Sequence, residues 1–247
     1  MESPDADFRI LSEQLLPHGQ LAAVRLPVTR SDEELRATLA RSEPQLLPGE
    51  QELAGLLAVP RRVSFVGGRL ALRSALTVIA PDARTTPVLK TTRGAPQLPP
   101  GVLGSVSHKR TLAVGMATLH RALVNTIGID VEEIPDERDL VRPDLAPKIL
   151  TAAERHALAP LAARDALAYR EAVRLRFALK EAVYKTIDPH VQRYVRFQEV
   201  EVIPESDGQT EVRLALPEFE GRRIVVRAWW TRLHGHLIAT AEASPLE

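Results

Sequence analysis

The sequence predicts an α+β protein, and a recurring strand-then-helix order would be explained by two related α+β halves, residues 1–121 and 122–247, joined near 120–124, although periodicity does not by itself establish the duplication. Three observations lead there. Residues 126–133, Thr-Ile-Gly-Ile-Asp-Val-Glu-Glu, alternate apolar and polar side chains with the period of two that marks a strand. Residues 61–76 and 164–187 carry apolar positions at helical spacing. The order strand then helix recurs, with Phe65 and Phe177 at matching places 112 residues apart. At 247 residues the length allows one large domain or two of about half the size.

Along the chain, 21–26 reads as a strand closed by Pro27, and Ser31 with Glu34 forms a capping box that opens a helix through Leu39. Residues 41–60, with Pro44, Pro48, Gly49 and Pro60, read as connection with a helical turn at 50–57. In the helix 61–76, Phe65, Leu72, Ala75 and Leu76 form one stripe while Arg62, Arg69 and Arg73 lie on or beside another face. Prolines and glycines shape 81–104 as loop, followed by strands at 102–106 and 112–116 and the central strand at 124–132. Thr151 with Glu154 is a second capping box, and the long helix 164–187 is expected to stop at Asp188-Pro189. Strands are expected at 193–203, 211–216, 223–230 and 237–241, with a turn at Asp207-Gly208.

Lys+Arg and Asp+Glu are both 32, so overall charge favours neither nucleic acid nor an anionic membrane, and an anionic ligand must be met by a local basic cluster. With no cysteine the chain forms no disulfide, thiolate metal site or cysteine nucleophile. The start of the chain is acidic and no long apolar run follows, which predicts a soluble cytoplasmic protein without a signal peptide.

Chemistry gathers in three places. Asp130 and Glu132 share a strand face, where two carboxylates repel unless a positive group lies between them; a hard cation with a preference for oxygen would serve. Gly128 on that face would leave room for a ligand, and an exposed acidic strand face is the plainer alternative. Glu181 and Lys185 stand four apart on the long helix, as an ordinary surface pair would. If the helix packs over the strand, Glu181 completes an oxygen set and Lys185 reaches one turn further, toward anionic oxygens of a metal-bound ligand. Residues 90–109 hold Lys90, Arg93, His108 and Lys109 with Ser105 and Ser107 around glycine-rich turns, suited to phosphate or merely a basic surface loop. The other histidines, the His234-Gly-His236 pair included, show no metal-ligand spacing, and Trp229 and Trp230 read as strand and core.

Together these stretches resemble the signature of the 4′-phosphopantetheinyl transferases, in particular the larger pseudo-dimeric type that serves siderophore, nonribosomal peptide and polyketide synthesis. G-x-P-x-x-P-x-G-x-x-G-S-x-S-H is matched over 94–108, G-I-D-x-E over 128–132 and F-x-x-K-E-x-x-Y-K over 177–185, in the same order and with similar spacing. The helix at 61–76 resembles that family's arginine-bearing helix. The chain departs from the commonest pattern at Leu98, where an aromatic is frequent, and at Ala178, where a serine is frequent.

The resemblance implies a pseudo-two-fold monomer with its site in the cleft between the halves. It implies transfer of the 4′-phosphopantetheine group of coenzyme A to a serine of an apo acyl or peptidyl carrier protein, with adenosine 3′,5′-bisphosphate leaving. Asp130, Glu132 and Glu181 would hold Mg²⁺, and Lys185 would bind the diphosphate. Arg61, Arg69, Lys90, Arg93, Ser107 and His108 would meet the phosphates and nucleotide, and Glu181 would accept the serine proton. A Mg²⁺-dependent phosphodiesterase or nucleotide hydrolase would use a similar carboxylate set, and a non-catalytic carrier-binding module would need none of it.

Overall fold

A computed structural model describes residues 7–28, 31–121, 124–217 and 223–246. The acidic segment 1–6 and residues 122–123 of the expected junction lie outside them. The chain divides into two compact units, Met1–His120 and Arg121–Glu247.

The first unit is an antiparallel sheet of strands β1 (Arg9–Leu16), β2 (Gly19–Arg25), β5 (Val102–Lys109) and β6 (Leu112–Leu119), in the order β1-β2-β6-β5. Helices α1 (Asp32–Ser42), α2 (Pro48–Gly55) and α3 (Val59–Ile79) lie between β2 and a small ribbon of β3 (Leu89–Lys90) and β4 (Pro96–Gln97). Ser31 caps α1 by accepting the Glu33 and Glu34 N–H groups. The long helix α3 crosses β2, β5 and β6. It comes so near β6 that a side chain on Gly115 would strike the backbone of Ala71 and Leu72. Leu72, Ala75 and Leu76 are buried there with Ala22 and Ala117. Leu98 packs, partly buried, against the same cluster.

The second unit is a five-stranded antiparallel sheet with the order β7-β11-β10-β9-β8: β7 (Thr126–Glu133), β8 (Val200–Pro204), β9 (Gln209–Leu214), β10 (Arg223–Leu233) and β11 (His236–Leu246). Between β7 and β8 come α4 (Ala146–Ile149), α5 (Ala152–Arg164) and α6 (Ala166–Val191). The stripe Leu175, Leu179, Ala182, Val183 and Ile187 of α6 is buried together with Ala178 against Val202, Ala228, Leu237, Ala239 and Ala241.

The sequence expectations need four corrections. β1 was not expected; its outward Ile10 and Leu15 stay exposed, so it carries no clean alternation. The stretch 193–199 is irregular chain and a 3₁₀ helix rather than strand. Helix α6 runs past Pro189, which costs only one hydrogen bond in the last turn, and ends at left-handed Gln192. Gly128 does not hold space for a ligand: a side chain there would strike the Ala182 carbonyl and Thr186 Oγ1, because α6 already occupies that face. Among the described residues no helix is long and apolar enough to cross a membrane.

Candidate active site

The sheet register fixes the acidic pair. β7 is laddered to β11 with Asp130 opposite Ala239 and Glu132 opposite Leu237, so both carboxylates leave the same side of the strand. Both are buried, as is the whole centre of β7. Helix α6 packs on β7. It is started by Asp165, which accepts the Ala168 N–H at 2.9 Å. Thr186 Oγ1 donates to Ala182 O on the same helix at 2.9 Å, and lies 3.4 Å from Ala241 O of β11.

This contact brings Glu181 and Lys185 to the acidic pair. Lys185 Nζ donates to Asp130 Oδ1 at 2.8 Å and to the Ile129 carbonyl at 2.7 Å. Burial, and next the charge of Asp130, push the Glu181 carboxyl above its ordinary value; the Lys185 ammonium pulls it back and Glu132 adds to the rise. Two expectations change. Lys185 is spent on Asp130 rather than aimed one turn further along. Among the described residues no three His, Asp or Glu side chains stand assembled to hold a metal ion. The donor chemistry nonetheless fits a hard cation: three carboxylates are close enough for two to raise the third, and positive charge relieves that repulsion.

The first unit carries the expected cations. Arg61, Lys90, Arg93 and His108 are exposed and Ser107 is half-buried. Arg69, read as lying on or beside a face apart from the apolar stripe, is only 3% exposed. Its guanidinium lies 4.5 Å from the centre of the Phe65 ring, and Lys90 Nζ lies 5.6 Å from the same ring. Burial brings the Arg69 pKa down to about 10, against the pull of Glu50 and with the help of Arg73, so the group remains a cation at neutral pH. Its Nε and Nη2 have no hydrogen-bond partner.

Two buried ion pairs were not anticipated from the sequence. Glu50, fully enclosed, meets Arg73 Nη2 at 2.7 and 2.5 Å. Glu154 meets Lys180 Nζ at 2.6 Å. Lys180 sits beside Glu181 in the helix, yet it is 1% exposed and donates also to Ile149 O and Phe197 O. Sequence pattern carries no signal for either pair, because Glu50 and Arg73 are 23 residues apart and Glu154 and Lys180 are 26 apart.

A family model described as the 4′-phosphopantetheinyl transferase superfamily matches residues 126–241, and one described as the 4′-phosphopantetheinyl transferase N-terminal domain matches 50–118. The chain is 32% identical over 196 residues to 4′-phosphopantetheinyl transferase PptT of Mycobacterium tuberculosis, covering 77% of this chain and 80% of that one. It is 33% identical to enterobactin synthase component D of Salmonella typhimurium, covering 53% of this chain and 50% of that one. It is also 33% identical to 4′-phosphopantetheinyl transferase Svp of Streptomyces mobaraensis, covering 65% of this chain and 62% of that one.

Proposed function

We infer from its membership that this chain, which belongs to the 4′-phosphopantetheinyl transferase superfamily, transfers phosphopantetheine from coenzyme A to an acyl or peptidyl carrier protein. The observation that carries the reading is that the acidic cluster of Asp130, Glu132 and Glu181 with Lys185 falls inside the superfamily match, with the cationic stretch inside the N-terminal match before it.

In the proposed reaction the carrier serine Oγ forms a bond to the β-phosphorus of coenzyme A. The bridging oxygen of the diphosphate leaves with adenosine 3′,5′-bisphosphate, and the serine proton passes to a base. Glu181 is the proposed base, directly or through water, since burial and its acidic neighbours favour its taking up a proton. Asp130, Glu132 and Glu181 are the proposed holders of Mg²⁺, which when bound supplies positive charge to the diphosphate. Lys185 is the proposed group at the phosphoryl oxygens, where its charge would steady the developing negative charge. Arg61, Arg69, Lys90, Arg93, Ser107 and His108 are the proposed contacts for the phosphates and nucleotide.

The pseudo-two-fold pairing of halves 1–121 and 122–247, with one site drawn from both, belongs to this proposal, as does a monomer working in the cytoplasm. The like construction of the two units supports the pairing. The test is mass spectrometry of apo carrier domains incubated with the protein, coenzyme A and Mg²⁺. A phosphopantetheine increment on the carrier serine, with the bisphosphate released only when carrier is present, is expected; bisphosphate release without carrier would instead mean a hydrolase.

A further inference from the structure

Glu50 plays no part in the chemistry above, yet Arg73 and Arg69 of α3 both face it. It is 0% exposed, and an unpaired carboxylate so placed would be very unfavourable. Its oxygens accept the Leu47 N–H at 3.0 Å, the Val88 N–H at 2.8 Å and Arg73 Nη2 at 2.7 and 2.5 Å. These donors come from the start of α2, from the segment leading into β3, and from α3. One carboxylate therefore ties the arginine-bearing helix to the strand that ends in Lys90, two residues beyond Val88.

Arg69 lies one helical turn before Arg73. Its Nε is 4.0 Å from Glu50 Oε1, near enough for attraction and too far for a hydrogen bond. A buried guanidinium is held in place by that attraction and by the Phe65 ring while its Nε and Nη2 donors stay unpaired. Against the single negative charge of Glu50 stand Arg69, Arg73 and Lys90, so the cluster keeps an excess of positive charge.

We propose that Glu50 is a positioning residue for coenzyme A: it fixes Arg69 and the Lys90 segment in the arrangement that receives phosphate, without touching the substrate. The inference rests on the reading that Arg69 and Lys90 contact coenzyme A. The sign of the effect separates positioning from bare charge. As a charge alone, Glu50 repels phosphate, and its removal would tighten binding. As a positioning group, its removal weakens binding.

Glu50→Gln keeps the size but turns one acceptor into a donor, facing donors already in place. The expected result is a rise of about ten-fold or more in the calorimetric Kd for coenzyme A and in its KM, the scale of a lost charge-assisted contact. Turnover at saturating coenzyme A and the KM for carrier should stay within about two-fold of the parent. Val88→Pro deletes the N–H that Glu50 accepts and changes no charge; it should shift the Kd the same way, and it decides the matter if Glu50→Gln does not fold. An unchanged or tighter Kd in the folded variants overturns the proposal, and so does an equal loss of turnover, carrier KM and coenzyme A affinity. Arg69→Ala and Lys90→Ala are measured alongside. If these two leave the Kd unchanged, the contact reading itself fails and positioning with it. If they weaken binding while Glu50→Gln and Val88→Pro do not, positioning alone falls.

Discussion

The two units bury a glutamate in nearly the same way. Glu50 and Glu154 each stand third in a helix, α2 or α5, and each accepts the N–H of the residue before that helix, Leu47 or Thr151. Each also accepts a distant backbone N–H, from Val88 or Val202, and a cation from the long helix, Arg73 or Lys180. They differ in what is left over. The three protons of Lys180 are matched by Glu154, Ile149 O and Phe197 O, so the second-unit pair is closed. Each unit has a second arginine one helical turn before that cation and near the glutamate: Arg176 donates Nη1 to Ala172 O and leaves only its Nε unpaired, whereas Arg69 leaves both Nε and Nη2 unpaired. The lesson is that saturation, more than burial, separates an ion pair that only holds the fold from one that keeps charge in reserve.

The largest effect should come from opening the closed pair. Lys180→Met leaves Glu154 charged and enclosed and should cost about 3–5 kcal/mol in urea unfolding. Lys180→Met with Glu154→Gln should recover part of that loss, since no unpaired charge remains. A single variant as stable as the parent would remove the pair as the tie between α5, α6 and β8.

Acid should act next. Burial holds the His18 pKa at about 4 against 6.5 in the unfolded chain. The unfolded chain therefore takes up the proton first, and stability present above about pH 6.5 falls as the pH drops toward 4, by about 3 kcal/mol at most. His190 of the second unit is lowered by burial too, but it is only half-buried. His18→Gln should therefore flatten the stability profile across this interval more than His190→Gln does. Equal flattening would show that His18 is no more strongly perturbed.

Glycines offer a subtler separation. Gly115→Ala forces α3 away from β6, and Gly128→Ala forces α6 away from β7, each at about 1–3 kcal/mol. The first should weaken coenzyme A binding by moving Arg69, and the second should lower turnover by moving Glu181 and Lys185. Calorimetry and initial rates on both variants check this; the reverse pattern would assign the two helices the opposite roles.

The smallest difference lies in the caps. Thr151 accepts the Glu154 N–H at 3.1 Å while Glu154 accepts the Thr151 N–H at 2.7 Å. Ser31 accepts at 3.2 and 3.4 Å. Thr151→Ala should cost about 1 kcal/mol and Ser31→Ala about half of that, measured by thermal unfolding.

What the sequence made legible followed from local pattern. The period of two placed β7 and its carboxylates, helical spacing placed α3 and α6, and the capping boxes placed α1 and α5. What it hid depended on distance along the chain. Glu154 was fully explained as half of a capping box, so nothing prompted a search for Lys180, 26 residues on. The burial of Arg69 was hidden because helical spacing gives a face and not what covers it. Gly128 read as open because the strand pattern says nothing of the helix carbonyl lying on it.

The account turns on Glu181 lying among Asp130, Glu132 and Lys185, and Glu181→Gln tests this most directly because it keeps the shape and removes both charge and basicity. The measurement is the initial rate of carrier modification against coenzyme A and Mg²⁺ concentration, with coenzyme A affinity measured in parallel. The account predicts a fall in turnover larger than the fall in affinity. Transfer at the parental rate would contradict it.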